Sequence, residues 1–143
     1  MRLTTSFVAP GLALAAVLAI AACKDTTTNS CGSGTAPSVA GTYKLISYTA
    51  GGNTVDTLMG ASGQLRFYAT TYGFNATLPV VGALADSGNY VISGTKCMTE
   101  TSLMGQGSTT GTFTLSGTTP GSVFTFTGTN TLAGAIGVAG LRQ

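Results

Sequence analysis

The sequence predicts an all-β domain, a small antiparallel meander barrel of about seven to eight strands that follows a leader and a flexible tether. Several short segments place an aromatic or aliphatic residue at every second position, and turns rich in glycine separate these segments. No stretch beyond the leader shows the 3.6-residue period of an amphipathic helix. We therefore expect strands with one buried face, joined by tight turns.

The first 22 residues are typical of a secretory signal. Arg2 precedes an apolar run over residues 7–20, and two alanines follow that run. The run contains Pro10 and is shorter than the roughly 20 residues of a membrane-spanning helix. These features favour a leader over a membrane span.

The leader ends on Ile20-Ala21-Ala22-Cys23, which resembles the lipobox of bacterial lipoproteins. The resemblance implies that Cys23 receives a diacylglycerol, that residues 1–22 are removed, and that the new amino group is acylated. Acyl chains such as palmitate would then hold the protein on a membrane of the cell envelope, since two or three chains give lasting anchorage. The alternative is that Cys23 is an ordinary small residue at the end of a secretion signal.

The residues that follow Cys23 bear on localisation. Lys24 comes directly after Cys23 and Asp25 comes second. The sorting rules known for some bacterial lipoproteins then favour the outer membrane over the inner membrane.

Residues 23–40 are expected to comprise the lipidated Cys23 and a flexible tether, because residues 24–40 are rich in Thr, Ser and Gly and lack hydrophobic periodicity. The barrel domain is then expected over residues 41–143. Strands are predicted at 42–49, 63–70, 72–78, 88–94, 96–102, 111–117, 122–128 and 132–142.

The alternation assigns one set of side chains to the inside of the sheet. At about 2 kcal/mol for each buried side chain, such a set stabilises a small domain only if the sheet closes and removes its edges. The predicted inward-facing residues are Tyr43, Leu45, Leu65, Phe67, Phe74, Ala76, Leu78, Tyr90, Ile92, Phe113, Leu115, Phe124 and Phe126.

The segments VAGTYKLISYTAGGNTVD, GQLRFYATTYGFNATL, DSGNYVISG and GTFTLSG are similar to the lipocalin-like domains of small bacterial lipoproteins. The resemblance covers residues 39–143 and implies a meander barrel with a cavity. It supplies no catalytic residue. The chain departs from the family in having Tyr43 where such barrels often carry Trp.

Two cysteines remain if Cys23 is lipidated. Cys31 lies in the tether and Cys97 in a predicted strand, and the envelope is an oxidising compartment. Pairing of Cys31 with Cys97 would stabilise the fold by roughly 4 kcal/mol in the chain-entropy model. The sequence leaves open two free thiols, or a bond from Cys31 to another chain.

Composition argues against several functions. The chain has no His, and its few Lys and Arg residues are scattered singly, which disfavours an enzyme, a metal site and a nucleic-acid partner. No cofactor motif is present. Asp56 and Asp86 are predicted to lie in turns and Glu100 to face solvent from a strand.

Two roles remain. The favoured one is a structural or interaction protein with a side-chain-filled barrel that contacts an envelope protein through strands and loops such as MGASG and SLMGQGST. The alternative is a carrier of a small apolar ligand, which needs a cavity of about 300 Å³ or more. Its candidate lining residues are Phe67, Phe74, Tyr90, Phe113, Phe124 and Phe126.

Overall fold

The computed structural model describes residues 31–143, so the leader, the lipobox and Cys23 lie outside the described residues. This part of the chain contains strands and turns and no helix, and therefore no helix that could span a membrane. The strands are β1 Gly41–Ala50, β2 Asn53–Asp56, β3 Ser62–Phe67, β4 Thr71–Leu78, β5 Gly82–Ser93, β6 Cys97–Ser102, β7 Ser108–Leu115, β8 Val123–Asn130 and β9 Gly134–Arg142.

The sheet closes into an antiparallel barrel of eight strands with one additional strand. From β3 to β9 each strand pairs with the next, and β1 pairs with both β3 and β9. The extra strand, β2, forms a hairpin with the second half of β1, beyond the part that pairs with β3. The predicted all-β meander barrel is confirmed.

The strands differ most from the sequence prediction at β2 and β5. β2 is absent from that prediction, because it is only four residues long, none of them is buried, and they lack apolar alternation. β5 begins at Gly82, six residues before the predicted start, because its first half carries small residues and Asp86 where larger apolar residues would give a strand signal.

The core consists of two neighbouring clusters of apolar side chains. The larger cluster is mainly aromatic and includes Tyr43, Phe67, Phe113, Phe124 and Phe126. The smaller cluster is aliphatic and is built on Leu45, Ala61, Ala76 and Leu78. Every residue predicted to face inward is either buried or packed against one of these clusters.

A β-bulge in β1 changes which side chains point inward. The pairing of β1 with β9 shifts between Leu45 and Ser47, so the alternation is interrupted there. Tyr48 consequently turns inward and stacks on Phe74, with ring centroids 5.6 Å apart. Strict period two would have placed Tyr48 outside.

One end of the barrel is plugged by the segment before β1 and by the C-terminus. The hydroxyl of Tyr43 donates to the carbonyl of Val39 at 2.7 Å, and Arg142 donates to the Tyr43 hydroxyl at 3.0 Å and to the carbonyl of Ala40 at 2.6 Å. Val39 is fully buried. We call this the closed end; it also holds the turns at 68–70, 94–96 and 116–122.

Residues 31–40, the described part of the predicted tether, lie against the closed end. Cys31 forms a disulfide with Cys97 at the start of β6. The carbonyl of Cys31 also accepts hydrogen bonds from the backbone N–H groups of Thr95 and Lys96. The opposite end, the open end, is formed by the turn at 51–52 and the loops 57–61, 79–81, 103–107 and 131–133.

Candidate functional site

A cavity of about 120 Å³ opens at the open end of the barrel. Its mouth is bordered by Gln106 and Leu132, and its walls combine aromatic, aliphatic and acidic side chains. The full lining is Tyr48, Leu65, Tyr72, Phe74, Leu84, Asp86, Glu100, Gln106, Thr109, Phe126, Asn130, Leu132, Ala133, Ile136 and Val138.

Asp86 lies inside the barrel on β5 and is held by three donors. The hydroxyl of Tyr72 donates to Oδ2 at 2.6 Å, the hydroxyl of Ser102 donates to Oδ1 at 2.5 Å, and the backbone N–H of Ser87 donates to Oδ1 at 2.9 Å. Burial and the hydrogen bond to Asp86 raise the pKa of Tyr72 well above its usual value. The predicted turn position of Asp86 is therefore wrong, whereas Asp56 does accept a turn hydrogen bond from the N–H of Met59.

Ser102 connects Asp86 to a loop at the cavity mouth. While its hydroxyl donates to Asp86, its oxygen accepts hydrogen bonds from the N–H groups of Met104 at 3.0 Å and Gln106 at 3.1 Å. The side chain of Asn130, at the end of β8, donates to the carbonyl of Gln106. The loop 103–107 is thus fixed relative to the acidic interior.

Glu100 also faces the cavity, so the prediction that it faces solvent is wrong. It lies on β6 in phase with Met98, a fully buried core residue, and pairs across the sheet with Tyr90. Burial, with a smaller contribution from the negative charge of Asp86, raises the pKa of the Glu100 carboxyl to about 7. The described residues place no hydrogen-bond donor on its carboxylate; the hydroxyl of Ser108 donates to its backbone carbonyl instead.

The six candidate ligand-lining residues separate into two groups. Phe74 and Phe126 line the cavity. The other four pack in the core, where the ring of Phe67 lies 5.1 Å from those of both Tyr90 and Phe124 and Phe113 stacks on Phe124 at 6.1 Å. The half of the barrel near the closed end is therefore filled by its own side chains.

Exposed apolar side chains cluster around the open end. Of the ten large hydrophobic residues exposed in the described region, seven lie in the loops of this end, among them Leu58 at 96% and Val80 at 92% of full exposure. The loops MGASG and SLMGQGST both contribute to this set. We call these seven residues the apolar rim: Leu58, Met59, Val80, Val81, Leu103, Met104 and Leu132.

Charges are divided between the two ends. The four basic residues of the described region, Lys44, Arg66, Lys96 and Arg142, lie in the half of the barrel near the closed end, and none lines the cavity. The cavity is therefore acidic. Within residues 31–143 no group of three or more metal-ligating side chains comes together.

Sequence reasoning missed the polar part of this site. Glu100 is two residues from Met98, and Asp86 is four residues from Tyr90, so both are in phase with inward-facing residues. Phase was the available signal, but the general exposure of charged residues favours solvent for Glu100, and the segment ADSGNY favours a turn for Asp86. For Tyr48 the alternation gave no signal of an inward position, because the bulge between Leu45 and Ser47 shifts the alternation before it reaches Tyr48.

No protein-family model, no curated protein and no solved structure matches this chain.

Proposed function

We propose that this is a lipid-anchored cell-envelope protein whose barrel has a non-catalytic interaction role, exerted through its open end. The observation that carries the proposal is the difference between the two ends of the barrel. Cys31 is bonded at the closed end, whereas the cavity and the apolar rim occupy the opposite end. Contiguous apolar patches exposed on a protein surface commonly mark binding sites.

The position of Cys31 also orients the barrel relative to the proposed anchor. Cys31 is the eighth residue after Cys23, and a chain of eight residues spans at most roughly 28 Å. Acyl chains on Cys23 would therefore keep the closed end near the membrane and direct the open end away from it. The basic side chains near the closed end favour this orientation, because anionic lipid head groups attract them.

The second candidate, a carrier of an apolar ligand that fills the barrel, is less well supported. The cavity of about 120 Å³ is well below the size of most ligand pockets, which begin near 300 Å³. Aromatic side chains already occupy the space near the closed end. Only a small ligand or a projecting group of a larger partner fits.

Fractionation of cells tests the anchor. We expect the wild-type protein to sediment with membranes and to dissolve in detergent, and Cys23→Ala to appear in the soluble fraction. Cys31→Ala is the matched control, since it removes a thiol outside the lipobox and should remain with membranes. Equal membrane association of Cys23→Ala and the wild type would contradict the proposal.

Crosslinking in cells tests the interaction role. A photoreactive residue at Leu103, in the apolar rim, should give a specific adduct with an envelope component. The same residue at Val91, on the outer wall and equally exposed, serves as the control and should give none. Adducts of equal yield from both positions, or none from Leu103, would contradict an interaction through the open end.

A further inference from the structure

Two carboxylates line the cavity, and the described residues provide hydrogen-bond donors to only one of them. Asp86 receives hydrogen bonds from Tyr72, Ser102 and Ser87, whereas the half-buried Glu100 faces the same space and receives none on its carboxylate from the described residues. No fully buried polar side-chain atom of the described residues lacks a partner, so the Glu100 oxygens remain within reach of water or of a ligand that enters through the open end. Such a residue points to a partner that comes from outside the chain.

The walls around the two carboxylates suit a cation that carries an apolar part. Tyr48, Phe74 and Phe126 present aromatic surface to the same space, and aromatic faces attract ammonium groups. No Lys or Arg of residues 31–143 reaches the cavity to neutralise it. The exposed side chain of Leu132 extends the apolar wall to the mouth.

We propose that this cavity binds a small primary ammonium ligand, or the ammonium head of a larger amphiphile, with the head group between Asp86 and Glu100. The apolar part of the ligand lies against Phe126 and Leu132 and leaves the barrel between the loops 103–107 and 131–133. This proposal rests on the interaction role proposed above and names the chemistry that the open end recognises. The small volume restricts the enclosed part of the ligand to a few heavy atoms.

Binding of an ammonium ligand depends on pH through Glu100. The titratable groups that face Glu100 across the cavity are Asp86 on β5, Tyr72 on β4 and Tyr48 on β1, and none of them is cationic. With a pKa of about 7, the Glu100 carboxyl of the free protein is largely protonated at pH 6 and largely ionised at pH 8. Affinity for a cation therefore rises between these two pH values, and binding near pH 7 releases a proton.

The test is an NMR titration of the full mature protein, in detergent, with n-butylammonium chloride. The neutral isostere 1-butanol and the anion butyrate are the matched probes. We expect butylammonium to bind at pH 8 about tenfold more tightly than 1-butanol, the ratio that a single partly buried ion pair of about 1.4 kcal/mol gives. Butyrate should not bind, and the preference for butylammonium should largely disappear at pH 6.

Two variants test whether the preference for butylammonium depends on the carboxylate of Glu100. Glu100→Gln should reduce the preference for butylammonium to near that of the neutral probe, whereas Asp56→Asn, which removes a carboxylate outside the cavity, should preserve it. If Glu100→Gln folds poorly, Asp86→Asn removes the other carboxylate of the cavity and should likewise reduce the preference for butylammonium. Equal affinity for butylammonium and 1-butanol, an unchanged preference in Glu100→Gln, or the same shifts at lower concentrations of calcium chloride would overturn the proposal.

The titration and the crosslinking experiment together distinguish a failure of the amine site from a failure of the interaction role. A barrel that ignores butylammonium but crosslinks from Leu103 would retain the interaction role and lose the amine site. A barrel that binds butylammonium in vitro but gives no adduct from Leu103 would retain the amine site, as one for a small free ligand, and lose the envelope partner.

Discussion

The hydroxyl of Tyr72 donates a 2.6 Å hydrogen bond to Oδ2 of Asp86, inside the barrel and between the neighbouring strands β4 and β5. Ser102 donates to the other carboxylate oxygen from β6. Donors that replace water lower the cost of withdrawing a carboxylate from solvent. The Tyr72–Asp86 pair therefore explains how the fold keeps one acid at the cavity, and it contrasts with Glu100, which lacks such donors among the described residues.

The first prediction concerns this hydrogen bond. Tyr72→Phe removes one donor to Asp86 with little change in shape, and we expect a loss of about 1–3 kcal/mol in the free energy of unfolding. Urea denaturation at pH 8 measures it. Tyr68→Phe is the control, because the side chain of Tyr68 is 56% exposed and should change stability by less than about 0.5 kcal/mol. Equal effects of the two substitutions would show that the hydrogen bond from Tyr72 to Asp86 does not contribute to the free energy of unfolding.

The second prediction is that Glu100 makes stability fall as pH rises. Its pKa is about 7 in the folded protein against the usual 4.5 of a glutamate in water, so between these values the unfolded chain binds fewer protons than the folded one. The contribution of Glu100 to the free energy of unfolding is therefore fully retained below about pH 4.5 and is lost progressively as the pH rises to about 7. Glu100→Gln should therefore be more stable than the wild type by about 2–3 kcal/mol at pH 8 and nearly equal to it at pH 4.

Urea denaturation at the two pH values measures this difference. Asp56→Asn removes a carboxylate that lies outside the cavity, and it should show no comparable gain at pH 8. A constant difference between Glu100→Gln and the wild type at pH 4 and pH 8 would mean that Glu100 ionises normally in the folded state.

The third prediction concerns the disulfide. Cys31 and Cys97 are 66 residues apart in sequence, so their bond restricts the unfolded chain strongly, by roughly 4 kcal/mol in the chain-entropy model. Cys97→Ser and the double variant with Cys31→Ser should both unfold at lower urea concentrations than the wild type, and by similar amounts. Complete maleimide labelling of the denatured wild type without a reductant would show that the bond does not form.

The fourth prediction concerns the close approach of strands β5 and β6. A Cβ atom on Gly88 would collide with the backbone carbonyl oxygen of Thr101, whereas one on Gly73 would meet nothing. We expect Gly88→Ala to destabilise the protein by about 2 kcal/mol or more and Gly73→Ala to be nearly neutral. Thermal unfolding of both variants measures the contrast, and a tolerated Gly88→Ala would mean that β5 and β6 separate easily.

The period-two pattern was enough to predict the barrel, because large side chains such as Phe113 and Phe124 carry both the strand signal and the burial. It was not enough for the site. Asp86 and Glu100 are inside because their strands require every second residue to point inward, whatever its polarity. The position of Tyr48 depends on a bulge, which arises from the pairing of β1 with β9 and has no local sequence signal.

The size of the cavity could not be predicted either. The sequence provides about the number of aromatic residues that fill a small barrel, but whether they leave a space depends on how they pack. In the structure they collect toward the closed end, where Tyr43, Phe67 and Phe124 contact one another. The cavity inside the barrel lies near the open end, where polar and smaller side chains line the wall.

The most direct test of a lipid-anchored barrel that binds through its open end is native mass spectrometry of the protein extracted from its own membranes with detergent. The account predicts a chain that starts at Cys23 and carries the mass of an acylated anchor, with a small basic adduct that is lost in Glu100→Gln. An unacylated chain would contradict the anchor, and an adduct that persists in Glu100→Gln would contradict the acidic cavity as its binding site.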